Sequence, residues 1–210
     1  MHKMLTKVLT LAASLLLLSC SDTEDAFYPN IITEMADLKT DDSGCLTQLI
    51  VDNGTCYTIS NRQGGFAKKV TYRVLCGYVP DHTTATLYQL NAAYYLRDSS
   101  AVVQRDPVTI RSIWRTPRYI NLHLAPKTQG GVHYWGFVTD SIVSVTLPDD
   151  TEQTHAYLSL HHSQNGDPAS YTEETYASIP LDSIKDMQPN SPITLHIQTF
   201  EGTKTIQVTP

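Results

Sequence analysis

The chain has 210 residues, 41% hydrophobic and 17% charged, with 15 basic against 21 acidic side chains. That is apolar enough to fill one or two packed cores, and it excludes an intrinsically disordered chain. The formal charge of −6 sets the surface against nucleic acid and anionic lipid headgroups, so no nucleic-acid partner is expected.

The first element is an export signal. "MHKMLTK" carries Lys3 and Lys7, and an uncharged apolar stretch runs from Val8 to Leu18. A membrane-spanning helix needs roughly 20 apolar residues, and this stretch is well short of that. It ends in Leu17-Leu18-Ser19-Cys20, which resembles the lipobox of bacterial lipoproteins. The resemblance implies that residues 1–19 are a signal peptide and that the thiol of Cys20 receives a diacylglyceryl group. Cys20 is then the lipid attachment site, and the membrane is a partner through this N-terminal anchor. One acyl chain binds only reversibly, at about 0.8 kcal/mol per buried methylene, so stable anchoring takes two or more. Loss of the signal removes Lys3 and Lys7, leaving 13 basic and 21 acidic side chains and a formal charge of −8.

Residues 20–38 read as an acidic tether, opening on "SDTED" with Asp22, Glu24 and Asp25. The cluster resembles the surface-export signal of outward-facing lipoproteins of the Bacteroides group. It implies an outer-membrane, lipid-anchored protein at the cell surface, with the periplasmic face as the alternative.

From residue 39 to 100 the pattern predicts a small OB-like β-barrel. "CLTQLIV" and "TCYTIS" flank Asn53-Gly54, the strongest short hairpin signal, and "VTYRVLCGYV" and "TATLYQLNAAYYL" follow. Small barrels of this kind remove exposed strand edges by closing. Three cysteines remain beyond Cys20, at 45, 56 and 76. Their odd number leaves at least one unpaired, and a Cys56–Cys76 disulfide stands beside the favoured reading of small buried thiols.

Apolar periodicity lapses at "RDSSAVVQRDP" and restarts at Val108, so residues 101–210 form a second domain. Short strand patterns ("VTIRSIW", "YINLHL", "HYWGFVT", "SIVSVTL", "HAYLSLH", "ITLHIQTF", "TKTIQV") alternate with turn-forming segments and predict an antiparallel β-sandwich. Only "LDSIKDM" reads as a short helix. In "YINLHL" alternation turns Ile120, Leu122 and Leu124 inward and Tyr119, Asn121 and His123 outward; "ITLHIQ" likewise exposes His196.

Six histidines fall in this second domain, but on strands rising about 3.3 Å per residue none makes a metal-binding pair. His155 and His161 stand far apart on one face, adjacent His161 and His162 point oppositely, and there is no H-E-x-x-H helix. Most of these histidines read as hydrogen-bonded surface groups. No G-x-S-x-G elbow is present, Cys45, Cys56 and Cys76 lack a nucleophile's flanking signature, and neither Gln-Gly-Gly leads into a helix that could cradle phosphate. No catalytic residue, metal or cofactor is therefore expected. Among the aromatics, Trp114 and one of Tyr134 and Trp135 read as core.

The order of features, "RDP", Trp114, "YINLHL", "HYWGFV", "LSLHHSQNGDP" and "YASIPLDSI", is similar to the NigD-like lipoproteins of the Bacteroides group. The matching residues are Asp106-Pro107, Trp114, Tyr119 to Leu122, His133, His161 and Asn165-Gly166-Asp167. The resemblance implies an all-β protein with an N-terminal OB-like domain and a C-terminal β-sandwich, and it implies no activity. In "HHSQNGDP", Asn165-Gly166 supplies a bend and Asp167 caps local amides, with His161 and Asp167 as candidate binding residues. The expected function is a non-catalytic envelope lipoprotein that binds a protein or other envelope component. A glycan-binding module is the alternative, and a hydrolase with a site between the domains is a third reading.

Overall fold

The computed structural model describes residues 29–99, 103–188 and 190–209, so Cys20 and the acidic cluster after it lie outside the described residues. Nearly all its regular structure is strand. The first five are β1 (Ile32–Thr40), β2 (Leu46–Val51), β3 (Cys56–Ile59), β4 (Thr71–Asp81) and β5 (Thr84–Tyr95). β1 pairs antiparallel with β2 and β4, β2 with β3, and β4 with β5. A parallel bridge, Thr58 to Thr84 and Ile59 to Ala85, joins β3 to β5. The ladders therefore run in a ring, β1-β2-β3-β5-β4, the connectivity of an OB-like barrel. Leu38, Leu46, Leu49, Ile59 and Tyr78 fill its interior.

β1 corrects the extent of the tether, because residues from Ile32 onward enter the sheet. Glu34, Asp37 and Lys39 interrupt its apolar pattern, yet as the strand between β2 and β4 it is buried on both faces over Met35–Leu38. The Asn53-Gly54 turn forms as expected, with Gly54 at φ 94° and its N–H donating to the Val51 carbonyl at 2.9 Å. Cys45, Cys56 and Cys76 are free thiols. No Cys56–Cys76 bridge forms because β3 neighbours β2 and β5 whereas β4 neighbours β1 and β5. Cys76 is buried, but Cys56 is exposed at the start of β3.

The second half holds β6 (Val108–Arg115), β7 (Tyr119–Thr128), β8 (Tyr134–Thr146), β9 (Glu152–Ser163), β10 (Tyr171–Thr172), β11 (Thr175–Pro180), β12 (Ile193–Thr199) and β13 (Gly202–Val208). Its own core gathers Ile120, Leu122, Leu124, Phe137, Leu158, Ile179, Leu195 and Ile197. The two strand patterns over residues 133–147 are one strand, β8, whose register shifts between Thr139 and Ser141. "LDSIKDM" forms only a 3₁₀ turn at Leu181–Ser183. The sandwich is mixed rather than antiparallel: β12 runs parallel to β9 and meets β6 in parallel, and β11 runs parallel to β5. Turn signals specify hairpin neighbours; these parallel pairs join strands far apart in sequence, which turns do not encode.

Residues Ile31–Pro210 make up one compact unit, and β5 is one reason. Most of it pairs with β4 in the ring, while Ala93, Tyr94 and Tyr95 pair with Tyr176, Ala177 and Ser178 of β11. A second reason is a buried polar network. Asp37 and Arg73 are cross-strand partners on β1 and β4, and Asn121 and Ser178 are partners on β7 and β11. Arg73 donates from Nε to Ser178 Oγ at 2.9 Å, and from Nη2 to Asn121 Oδ1 at 2.9 Å and Asp52 Oδ2 at 2.7 Å. Its Nη1 lies 3.1 Å from Asp37 Oδ1 and, as an ion-pair contact without hydrogen-bond alignment, 2.6 Å from Asp52 Oδ1. Tyr119 donates its hydroxyl to Asp37 Oδ2 at 2.9 Å and lies under the Arg73 guanidinium, whose carbon is 3.8 Å from the ring centroid.

This network corrects the outward assignment of Tyr119 and Asn121, which are 5% and 0% exposed. Alternation on β7 is present, but the face opposite the sandwich core meets the barrel strands instead of water. The two carboxylates here are matched by the guanidinium groups of Arg73 and Arg118, the latter 2.7 Å from Asp37.

Candidate functional site

Where β5 passes into the second half, β11 lies between it and β7, and a cleft of about 320 Å³ opens beside this junction. β5 contributes Ala92, Ala93 and Tyr94; the end of β7 gives Pro126 and Thr128; β8 and the turn before it give Gly131, His133 and Trp135. Glu173, Glu174, Thr175 and Tyr176 complete the wall.

Strand period sets these side chains. His133 and Trp135, two residues apart, share one face of the chain entering β8, and Tyr134 points to solvent. Trp135 is the register partner of His162 on β9, which stacks their rings 4.0 Å apart with 19° between planes. Two further rings lie near Trp135: Tyr94, at 5.7 Å and a tilt of 37°, and His133, at 6.4 Å. Tyr94 is 46% exposed.

Behind the cleft runs a hydrogen-bonded chain. His162 Nδ1 lies 2.9 Å from the Asp106 carbonyl, His162 Nε2 lies 3.0 Å from His133 Nδ1, and His133 Nε2 lies 3.1 Å from Asp167 Oδ2. A carbonyl only accepts, so His162 donates from Nδ1, and one proton is shared between His162 Nε2 and His133 Nδ1. His133 Nε2 donates to the Asp167 carboxylate, which only accepts. Burial pushes the His162 imidazole down to about 4. Asp167 is held down to about 2, first by the Thr128 hydroxyl at 2.5 Å, then by the Gln129 amide at 2.9 Å, with His133 adding to them. Gly131 is required here: a β-carbon on it would sit 2.6 Å from Asp167 Cγ.

Of the candidate binding residues, the structure places Asp167 in this chain and His161 outside it. His161 accepts the Gln104 amide at Nδ1, 3.0 Å away. Asp167 binds the turn after β7, a remote segment rather than its local amides; Asn165 and Gly166, at φ 52° and 79°, make the expected bend. His133 and His162 correct the reading of the histidines as surface groups, since both are buried. Trp135 packs against the core, as one of the Tyr134–Trp135 pair was expected to. The sequence reading did not single out Glu173, Glu174 or Tyr176 as a site; the usable signal was His133-x-Trp135, whose spacing aims both at one face. At the rim, Arg111 pairs with Glu174, donating from Nη2 at 2.9 Å, and His123 Nε2 makes a 2.7 Å contact with the same carboxylate without hydrogen-bond alignment. Among the described residues no group of three metal-ligating side chains converges, and no helix is long and apolar enough to cross a membrane.

A strand ring of OB-like connectivity fused to a mixed β-sandwich, with one strand common to both, defines an all-β class of two-core proteins. A family model, the NigD-like C-terminal beta sandwich domain, matches residues 93–209, and the chain belongs to the NigD-like family. The match begins at the residue where β5 turns from β4 to β11. Among solved structures, a NigD-like immunity protein from Bacteroides caccae is 26% identical, with a TM-score of 0.57 over 86% of this chain and 93% of that one. A candidate toxin-related protein from Parabacteroides distasonis is 14% identical, with a TM-score of 0.63 over 86% and 93%. A candidate lipoprotein from Bacteroides fragilis is 15% identical, with a TM-score of 0.58 over 87% and 97%. No curated protein matches the chain.

Proposed function

We propose that this protein is a lipid-anchored envelope protein, displayed at the cell surface, that acts by binding rather than by catalysis, and that the Tyr94–Trp135 cleft is its binding site. The observation that carries the reading is the cleft: a half-exposed tyrosine beside a core-anchored tryptophan and two carboxylates, backed by a chain of buried polar groups that fixes the wall. Such convergence of ring faces and a few polar groups is what ligand sites share. Support for the anchor comes from the Leu17 to Cys20 box and the acids after it, and the Bacteroides fragilis structure described as a lipoprotein fits the same placement. The immunity description of the Bacteroides caccae relative also suits a protein that works by engaging a partner. Against the glycan alternative stands the 37° tilt between the two rings, since a sugar platform calls for exposed rings in one plane. The acids between the two β-modules, the place a hydrolase site was considered, are already bound by arginines.

Site-specific photocrosslinking in intact envelopes tests the reading. A photoreactive residue at position 94 is expected to capture a partner that the same residue at position 145, at the far end of β8, does not; equal labelling at both would remove the cleft from consideration. Cys20→Ala is expected to release the protein from membranes, and continued sedimentation with them would overturn the anchor.

A further inference from the structure

Resting on the reading of the cleft as the binding site, we infer that its ligand is an organic cation, an alkylammonium or guanidinium group, received in the cleft beside Tyr94 and Trp135 and balanced by Glu173. Ring faces carry negative charge density, and a cation is drawn to several that converge. Here three aromatic side chains line one cleft: the Tyr94 and Trp135 rings lie 5.7 Å apart, and Tyr176 is the third.

The charge balance agrees. The cleft lining contains two carboxylates and no lysine or arginine. His133, the one basic nitrogen group in the lining, is already engaged by Asp167 at 3.1 Å. Glu174 is matched by Arg111, whereas Glu173 has no ion-pair partner among the described residues, so its charge is left for a ligand. Arg111, first among its neighbours, holds the Glu174 carboxyl below its usual range and keeps it ionised. A cavity of about 320 Å³ is at the small end for ligand sites, which suits a single cationic group rather than an oligosaccharide.

Titration of the purified lipidated protein in neutral detergent, read by tryptophan fluorescence, tests this. The probes are tetramethylammonium and N-acetylarginine amide as lone cations, a pentapeptide rich in lysine and arginine, and cellobiose as a neutral sugar. The cations are expected to bind, more weakly as salt rises, and cellobiose is not. Tyr94→Ala and Glu173→Gln should each weaken cation binding roughly three- to tenfold, the range of a partly exposed cation–π contact, with Glu173→Asp recovering part of the loss. Both residues are exposed, so unchanged thermal unfolding confirms that the variants fold. Tighter binding of the peptide than of the lone cations would identify a cationic side chain on a partner protein; equal binding would identify a free small cation. Absence of cation binding, or binding that both substitutions leave intact, overturns the inference. If capture at position 94 persists in that case, only the ligand class falls; if capture is also lost, the cleft falls with it.

Discussion

Arg73 is where a single side chain carries the most consequence. It is almost fully buried, and its guanidinium touches two carboxylates, an amide oxygen, a hydroxyl and a tyrosine face. Arg73→Met removes the cation and leaves Asp52 and part of Asp37 charged and unpaired in the interior. Breaking one side of a buried pair costs about 3–5 kcal/mol, so the unfolding free energy should fall by that amount, read as a lower urea midpoint with the slope unchanged. Arg73→Lys should recover little of it, because an ammonium cannot make the planar set of contacts. Two neighbouring residues give the pH dependence. His162 titrates near 6.5 when unfolded and near 4 when folded, because burial disfavours its charged form. Its folded pKa is depressed, so stability is full above about 6.5 and is lost as pH falls toward 4, by roughly 2–3 kcal/mol. Asp167 repeats the sign lower down: its contribution is full above about 3.9 and disappears as pH falls to about 2. Plots of Tm against pH should therefore flatten between 6.5 and 4 for His162→Phe, and only below 4 for Asp167→Asn. Flattening of both variants in the same window would refute the assignment.

At the level of elements, alternation and turn chemistry made most strands legible from the sequence, because a strand buried on one face writes its burial in period two. "ITLHIQ" is such a strand, with Ile193, Leu195 and Ile197 buried and His196 more exposed. What the sequence concealed are elements whose charge is neutralised inside the protein. β1 looked like tether because Asp37 reads as solvent-facing until Arg73 stands opposite it. β11 was hidden for a related reason: Ala177 to Pro180 is buried on both sides, so it shows no alternation. The cleft was less legible still, because its walls come from segments some eighty residues apart, Ala92 to Tyr176, brought together by a parallel pairing. The position of β1 can be checked by truncation. A chain beginning at residue 29 should fold with native-like circular dichroism. One beginning at residue 41 lacks the strand that pairs with both β2 and β4, and should lose the β-signal of the N-terminal module or precipitate.

In the whole molecule two hydrophobic cores, one inside the strand ring and one inside the sandwich, are tied together by means that differ in kind. β5 carries backbone hydrogen bonding from one core to the other without a linker, and the Arg73 network fills the contact with matched charge. Domains within a chain ordinarily move against each other across polar interfaces, but a continuous strand and a buried, charge-matched network oppose that motion. Unfolding should consequently be one transition. Both tryptophans, Trp114 and Trp135, lie in the second half, so their fluorescence reports the sandwich while far-UV circular dichroism reports both halves. The two signals should share one urea midpoint. A fragment covering residues 93–209 supplies the complementary measurement. It keeps the sandwich core but exposes Tyr119, Asn121 and Ser178, whose partners Asp37, Asp52 and Arg73 are in the missing N-terminal half. Its fluorescence midpoint should lie below that of the full chain. An equal midpoint, or an earlier loss of circular dichroism in the full chain, would mean that the halves fold independently and that the buried network contributes only to their fit.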